Sequence, residues 1–340
     1  MRASIVATAV LASLSSLASA APDSPAPAPD LSLDVYAEPA QLVDIGGGRR
    51  LNLRCSGSGA PTVILESGQG MTSMAWRKLQ PLAAKTRRVC AYDRAGLGFS
   101  DAGPLPRTAP AAAGDLYALV RAAGIQPPLL LVGHSMGSYV VRLYASAHPQ
   151  EVAGLVLVDP VSETLAEDAP DYAAREAKAS AANTDYGRKC AQAARAGDLA
   201  GTTPAAQACV PPPIAGFSQK LGESIRNRFR TAAYWDTALS ERDADAASVA
   251  AVKAASTAAY SRLPLQVLSA QQREWIEPQD RKEAEAAYAK AHRRIAALST
   301  RGRVVAVSNS GHNIHEDRPE AVAKAIDEVA REAAVPDRAK

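Results

Sequence analysis

The stretch 129-LLLVGHSMGSYVVRLYASAHP-149 decides how the chain is read. Leu129 to Val132 is a wholly apolar run with the length and composition of a buried strand. It passes without a loop into a longer segment, ended by Pro149, that reads as a helix. Gly133-His134-Ser135-Met136-Gly137 therefore occupies a strand-to-helix junction. A chain that turns this sharply strains the central residue and pushes its side chain clear of the sheet; Gly133 and Gly137 suit the turn because side chains there would crowd it. The Ser135 hydroxyl is then presented at a helix N-terminus, with the Met136 backbone N–H facing whatever the oxygen attacks. Gly-X-Ser-X-Gly arises readily by chance at this Gly and Ser content, so its place between strand and helix is what gives it meaning.

Outward from this junction, short β-rich runs recur with helical segments between them: Thr62 to Leu65, Arg88 to Tyr92, Leu155 to Val158, Leu265 to Leu268 and Arg303 to Val307. Strands alternating with helices imply a mainly parallel sheet covered on both faces. Gln41 to Ile45 and Arg50 to Arg54 flank Gly46-Gly47-Gly48 and read as an antiparallel hairpin at one edge. Between Val161 and Arg262 no strand is legible. AAREAKASAAN and ERDADAASVAAVKAAS read as helices, interrupted by the loop 201-GTTPAAQACVPPPIAG-216. The division is a core of residues 41-160 and 263-340 with a helical cap, residues 161-262, inserted between two of its strands.

Residues 1-20, MRASIVATAVLASLSSLASA, combine one Arg, an apolar stretch and the small-residue ending Ala18-Ser19-Ala20, the pattern of a cleaved secretory signal peptide. The protein is therefore expected to be secreted or periplasmic. Residues 21-40, opening APDSPAPAPD, read as a Pro/Ala-rich tether. No later stretch of the 340 residues has the apolar length of a membrane span, so no stable membrane insertion is expected. A net charge of +3 with acids and bases interspersed indicates neither a nucleic-acid face nor a funnel for acidic substrates. The four cysteines suit disulfides once export is accepted: Cys190 with Cys209 as a clip in the insertion, and Cys55 with Cys90 at two strands. No CxxC or His-rich cluster points to a metal.

Three motifs in order resemble the α/β-hydrolase family, over about residues 41 to 335. GHSMG is similar to its nucleophile elbow after the fifth strand, 92-YDRAGLGFSD-101 to the loop after the fourth, and 308-SNSGHNIHEDRPEAV-322 to the catalytic-histidine loop between the last strand and last helix. The resemblance implies an eight-stranded, mainly parallel sheet flanked by helices, with the cap after strand six. It also implies the catalytic roles. A serine hydroxyl is a poor nucleophile until a positioned base takes its proton. His312 is the base, because the strand Arg303 to Val307 should deliver its loop to the edge where Ser135 emerges; His315, three residues on, is the rival. His134 should pack away from Ser135, and His148 and His292 read as helix-surface residues.

The third member, a carboxylate that fixes the imidazole, departs from the commonest family pattern. After 265-LQVL-268 the chain continues SAQQREWIEPQD, with Arg273 roughly where the acid is expected. Some family members place the acid after the sixth strand, and 155-LVLVDP-160 puts Asp159 there; Asp159 is the favoured acid and Glu274 the alternative. The oxyanion donors implied are the backbone N–H groups of Met136 and, from 66-ESGQG-70, Gln69. Trp76 is expected to pack.

The function implied is an exported serine hydrolase, carboxylesterase-like and free of cofactors, that cleaves an ester, or a thioester or amide, through an acyl-enzyme. An aminopeptidase on the same triad and a non-catalytic binder that has kept the fold are the alternatives. Serine at the elbow argues against dehalogenase or epoxide-hydrolase chemistry, which in this family needs a carboxylate nucleophile. The insertion has few bulky apolar residues, chiefly Phe217, Phe229, Tyr234 and Trp235, and no long apolar stripe. That favours a soluble, small-to-medium acyl substrate as partner over bulk lipid.

Overall fold

The computed structural model describes residues 28–255, 260–274 and 276–334; the proposed signal peptide lies outside the described residues. Eight strands form one sheet: β1 (Gln41–Asp44), β2 (Arg50–Ser56), β3 (Thr62–Glu66), β4 (Val89–Tyr92), β5 (Leu129–His134), β6 (Val152–Val158), β7 (Leu265–Ala270) and β8 (Gly302–Val307). Their order is β1-β2-β4-β3-β5-β6-β7-β8. The β1–β2 and β2–β4 pairs are antiparallel and the other pairs parallel. The hairpin turn uses Gly46, Gly47 and Gly48 at φ of +87°, +65° and +71°, a left-handed run that side chains would resist.

Helices cover both faces. In chain order they are α1 (Gln80–Ala83), α2 (Ala109–Ala122) and α3 (Gly137–Ala147), then six between β6 and β7: α4 (Leu165–Asp168), α5 (Pro170–Ala196), α6 (Pro204–Cys209), α7 (Gln219–Phe229), α8 (Ala232–Asp243) and α9 (Asp245–Ala255). After β7 come α10 (Pro278–Ala296), α11 (Ile314–Asp317) and α12 (Pro319–Ala334). Along β5, Leu129 and Leu131 join the core that includes Leu116 of α2 and Val140 of α3, while Leu130 and Val132 join the core that includes Ile326 of α12. Period-two alternation with both faces buried is why the strand reads as a continuous apolar run. On α12, Val322, Ala325, Ile326 and Val329 form the buried stripe at helical spacing.

The stretch from Glu241 is helical as read, in α8 up to Asp243 and in α9 from Asp245. One reading needs correction. Within the segment read as a tether, Leu31–Ala37 forms a 3-10 helix capped by Asp30. Tyr36 and Ala37 bury against Leu221 and Ile225 of α7, an apolar docking that the Pro/Ala-rich composition upstream concealed.

Cys55 faces Cys90 across the β2–β4 pair and is disulfide-bonded to it; Cys190 of α5 is bonded to Cys209 of α6, with Cα atoms 5.6 Å apart. Replacing Cys190 and Cys209 together by serine is expected to lower the unfolding free energy by about 2–4 kcal/mol, read as a lower urea midpoint. A midpoint equal to the parent's would show that this clip does not restrain the unfolded chain.

Candidate active site

Ser135 sits between β5 and α3 with φ +52°, a left-handed conformation that a non-glycine residue adopts only when its surroundings impose it. Its N–H donates to Val158 O at 3.1 Å and its carbonyl accepts from Ser138 N at 3.0 Å, tying the turn to β6 and to the first turn of α3. A Cβ at Gly137 would lie 2.5 Å from Ser67 O and 2.6 Å from Glu66 O; one at Gly133 would lie 2.7 Å from Gly137 O. Gly137 is required by the close approach of the elbow to the end of β3, and Gly133 by its close approach to the start of α3. Ser135 is partly exposed, while His134 and Met136 on either side are buried.

Asp159 follows β6 directly, also at positive φ (+40°), and its side chain is fully buried. One carboxylate oxygen, Oδ2, is 2.7 Å from His312 Nδ1. The other, Oδ1, accepts from Ala270 N at 3.0 Å, and Arg273 grips both through Nη1 (3.1 Å) and Nη2 (2.8 Å). Burial by itself would raise this carboxyl's pKa. The hydrogen bond from His312 and the charges of His312 and Arg273 outweigh it and hold Asp159 well below the usual carboxylate range. An ionised Asp159 can only accept, so His312 carries its proton on Nδ1 and its lone pair on Nε2. The structure thus brings Asp159 and His312 together on the sheet edge where Ser135 emerges. Glu274 is exposed.

The other histidines divide differently from the sequence reading. His134 Nε2 donates to His312 O at 3.1 Å, so His134 buttresses the base's own backbone. His315 is fully buried against Trp76 (ring centroids 4.7 Å) and His134 (4.4 Å), with its pKa pushed down to about 3, first by burial and then by the charges of His312, Arg77 and Lys78. Trp76 packs there as expected. His148 caps α3 and stacks on Tyr117 at 4.1 Å. His292 is not a surface residue: it is fully buried, Nε2 donating to Pro160 O at 3.0 Å and Nδ1 accepting from the Ser269 hydroxyl at 2.9 Å. The charged residues around it on α10 hid its inward-facing position.

The candidate oxyanion loop is a tight turn in which Met71 N donates to Gly68 O at 3.1 Å and Gly70 takes φ +66°. Gln69, whose N–H is the second donor implied by the sequence, lies inside that turn and is partly exposed; Met136 follows Ser135 at the start of α3. Sequence reasoning missed what holds the turn. Buried Arg94 donates to Ser67 O (2.7 Å), Gly68 O (2.7 Å), Glu66 Oε1 (2.6 Å) and Glu241 Oε1 (2.7 Å). Glu241 also accepts from Gly70 N at 2.8 Å. A helix of the insertion is therefore bonded directly to the loop. Arg94 belongs to the quoted 92-YDRAGLGFSD-101 motif, the one signal that could have exposed it; its partner Glu241 lies 147 residues away.

The model of the "Alpha/beta hydrolase family" matches residues 63–325. The chain belongs to the alpha/beta hydrolase family. It is 36% identical over 134 residues to 2-hydroxymuconate semialdehyde hydrolase of Pseudomonas sp. strain CF600, covering 36% of this chain and 46% of that hydrolase. The chain spans less than half the length of the curated relatives it matches. Among solved structures, an esterase from Thermogutta terrifontis superposes with a TM-score of 0.55 at 20% identity, covering 88% of this chain and 100% of that one. A haloalkane dehalogenase loop variant from Bradyrhizobium elkanii does so at 0.59 and 22%, covering 86% and 96%. At these identities the likeness is one of fold.

Asp159→Asn should cost about 10⁴-fold in turnover, because the amide permits the wrong imidazole tautomer, and about 3–5 kcal/mol in stability, because it breaks the buried ion pair with Arg273. Since the folded-state pKa is depressed, the stabilisation from ionised Asp159 is present above the unfolded value of about 3.9 and is lost as pH falls below it. The stability gap between parent and variant, followed by urea unfolding, should therefore narrow below about pH 4. A gap independent of pH would contradict the assignment.

Proposed function

We propose that this alpha/beta hydrolase is an exported serine carboxylesterase acting on small-to-medium acyl esters. The observation that carries the reading is the Asp159–His312 hydrogen bond, set on the strand edge from which Ser135 emerges. Ser135 Oγ attacks the acyl carbonyl while His312 Nε2 takes its proton. Asp159 keeps the ring in the productive tautomer and stabilises its charged form. The N–H groups of Met136 and Gln69 donate to the developing oxyanion. His312 returns the proton to the departing alcohol, and water then hydrolyses the acyl-enzyme by the same steps in reverse.

The hydrolase relative and the esterase neighbour support hydrolytic chemistry on this fold. Export is supported by the two disulfides, which persist in oxidising compartments, together with the N-terminal sequence pattern. Among the described residues no helix is long and apolar enough to cross a membrane.

The purified mature protein should hydrolyse p-nitrophenyl butyrate with a rapid burst of nitrophenol before the steady state. Ser135→Ala should abolish the burst and lower turnover by at least about 10⁴-fold. Turnover unaffected by that substitution would place the chemistry elsewhere.

A further inference from the structure

A cavity of about 100 Å³ adjoins the Gly68–Met71 turn, walled by Gly70 and Met74, by Glu316 four residues beyond His312, and by Ile225, Arg228 and Phe229 of α7. It therefore lies between the oxyanion loop, the histidine loop and the insertion. Most of its wall is apolar; its charged residues are Arg77 and Glu316, which pair with each other, and Arg228.

Arg228 differs from its neighbours on α7, because Arg226 and Arg230 both pair with Glu223. Among the described residues Arg228 forms no ion pair. Its Nη2 donates to Tyr36 O at 2.7 Å and Ser224 Oγ at 3.4 Å, its guanidinium carbon is 4.1 Å from the Phe99 ring centroid, and its buried Nε has no partner. The Asp93 charge acts on Arg228 and Glu316 shares the cavity wall, but neither forms a salt bridge with it. Asp93 accepts from Asn52 Nδ2, Ser73 N and Phe99 N, and Glu316 is held by Arg77 and by Lys78 at 3.6 Å. Arg228 is half-buried with no carboxylate bonded to it, and its planar fork matches a carboxylate. The cavity holds about three water-sized groups, which fits a carboxylate on a short chain.

We propose that this cavity binds a free carboxylate of the substrate, so that the preferred esters are half-esters of short dicarboxylic acids with their second acid group on Arg228. This rests on the ester-hydrolase reading and names its substrate class. Arg228 then sets specificity and takes no part in bond breaking.

The test compares p-nitrophenyl hydrogen glutarate with p-nitrophenyl valerate, an uncharged ester of similar length. The wild-type protein should favour the glutarate ester in kcat/KM. Arg228→Gln should lower the glutarate-to-valerate ratio at least about tenfold, with Arg228→Lys intermediate because it keeps the charge without the fork. Because Arg228 also anchors the Tyr36 carbonyl, Arg228→Lys carries the comparison if the glutamine variant does not fold. A ratio unchanged in a folded Arg228 variant would overturn the proposal.

A second arm dispenses with turnover. Millimolar glutarate, but not neutral glutaramide, should raise the unfolding temperature of Ser135→Ala, and the rise should disappear when Arg228 is also replaced. That rise without any ester turnover by the wild type would sustain the carboxylate site and overturn the esterase reading. Valerate turnover without any glutarate preference or glutarate-induced rise would overturn the site and leave the esterase reading standing.

Discussion

The buried carboxylate of Asp159 is the constraint on which the candidate site depends. A charge with no access to water must have every oxygen engaged, and here His312, the Ala270 N–H and both arms of Arg273 do so. Each partner comes from a different place: the loop after β8, the end of β7 and the segment beyond it. The need to satisfy one carboxylate thus fixes three loops at the same sheet edge. The left-handed backbone of Asp159, tied by its N–H to Leu268 O at 2.8 Å, is held by the same set of contacts.

Arg273 gives the candidate site a feature of its own. It occupies roughly the stretch where the commonest pattern has the acid, and instead of supplying the carboxylate it clamps the one supplied by β6. Its side chain stacks at 4.2 Å on Tyr288 of α10, the helix that also carries His292 to Pro160 O beside Asp159. Helix α10 therefore supports the acid from two sides. Arg94 performs the matching task for the Gly68–Met71 turn, and Glu241 extends that support into the insertion.

Much of the fold was legible because its determinants are local. The apolar runs at β5 and β6, the glycine hairpin and the Gly133/Gly137 elbow each carry their reason in neighbouring residues. The placement of Ser135, His312 and Asp159 at one end of the sheet was legible because motif and strand end coincide at each. The supports were not. Arg273–Asp159 and Arg94–Glu241 join residues separated by 114 and 147 positions, and a single sequence contains nothing that pairs one surface-type charge with another at that distance. His292 and the Leu31–Ala37 segment were misread for the same reason, since each is buried by a surface contributed from elsewhere in the chain. The interspersed charge likewise averaged away Arg228, which forms no ion pair among the described residues, because net charge does not register a single cation in a cavity wall.

The most direct test of the account is whether Ser135 is activated. The folded protein should be treated with a fluorophosphonate at neutral pH and the adduct mapped by mass spectrometry, with Asp159→Asn alongside. The account predicts one rapid adduct, on Ser135, and labelling slowed by orders of magnitude in the variant. A folded protein that stays unlabelled, or one that labels equally fast without the Asp159 carboxylate, would contradict it.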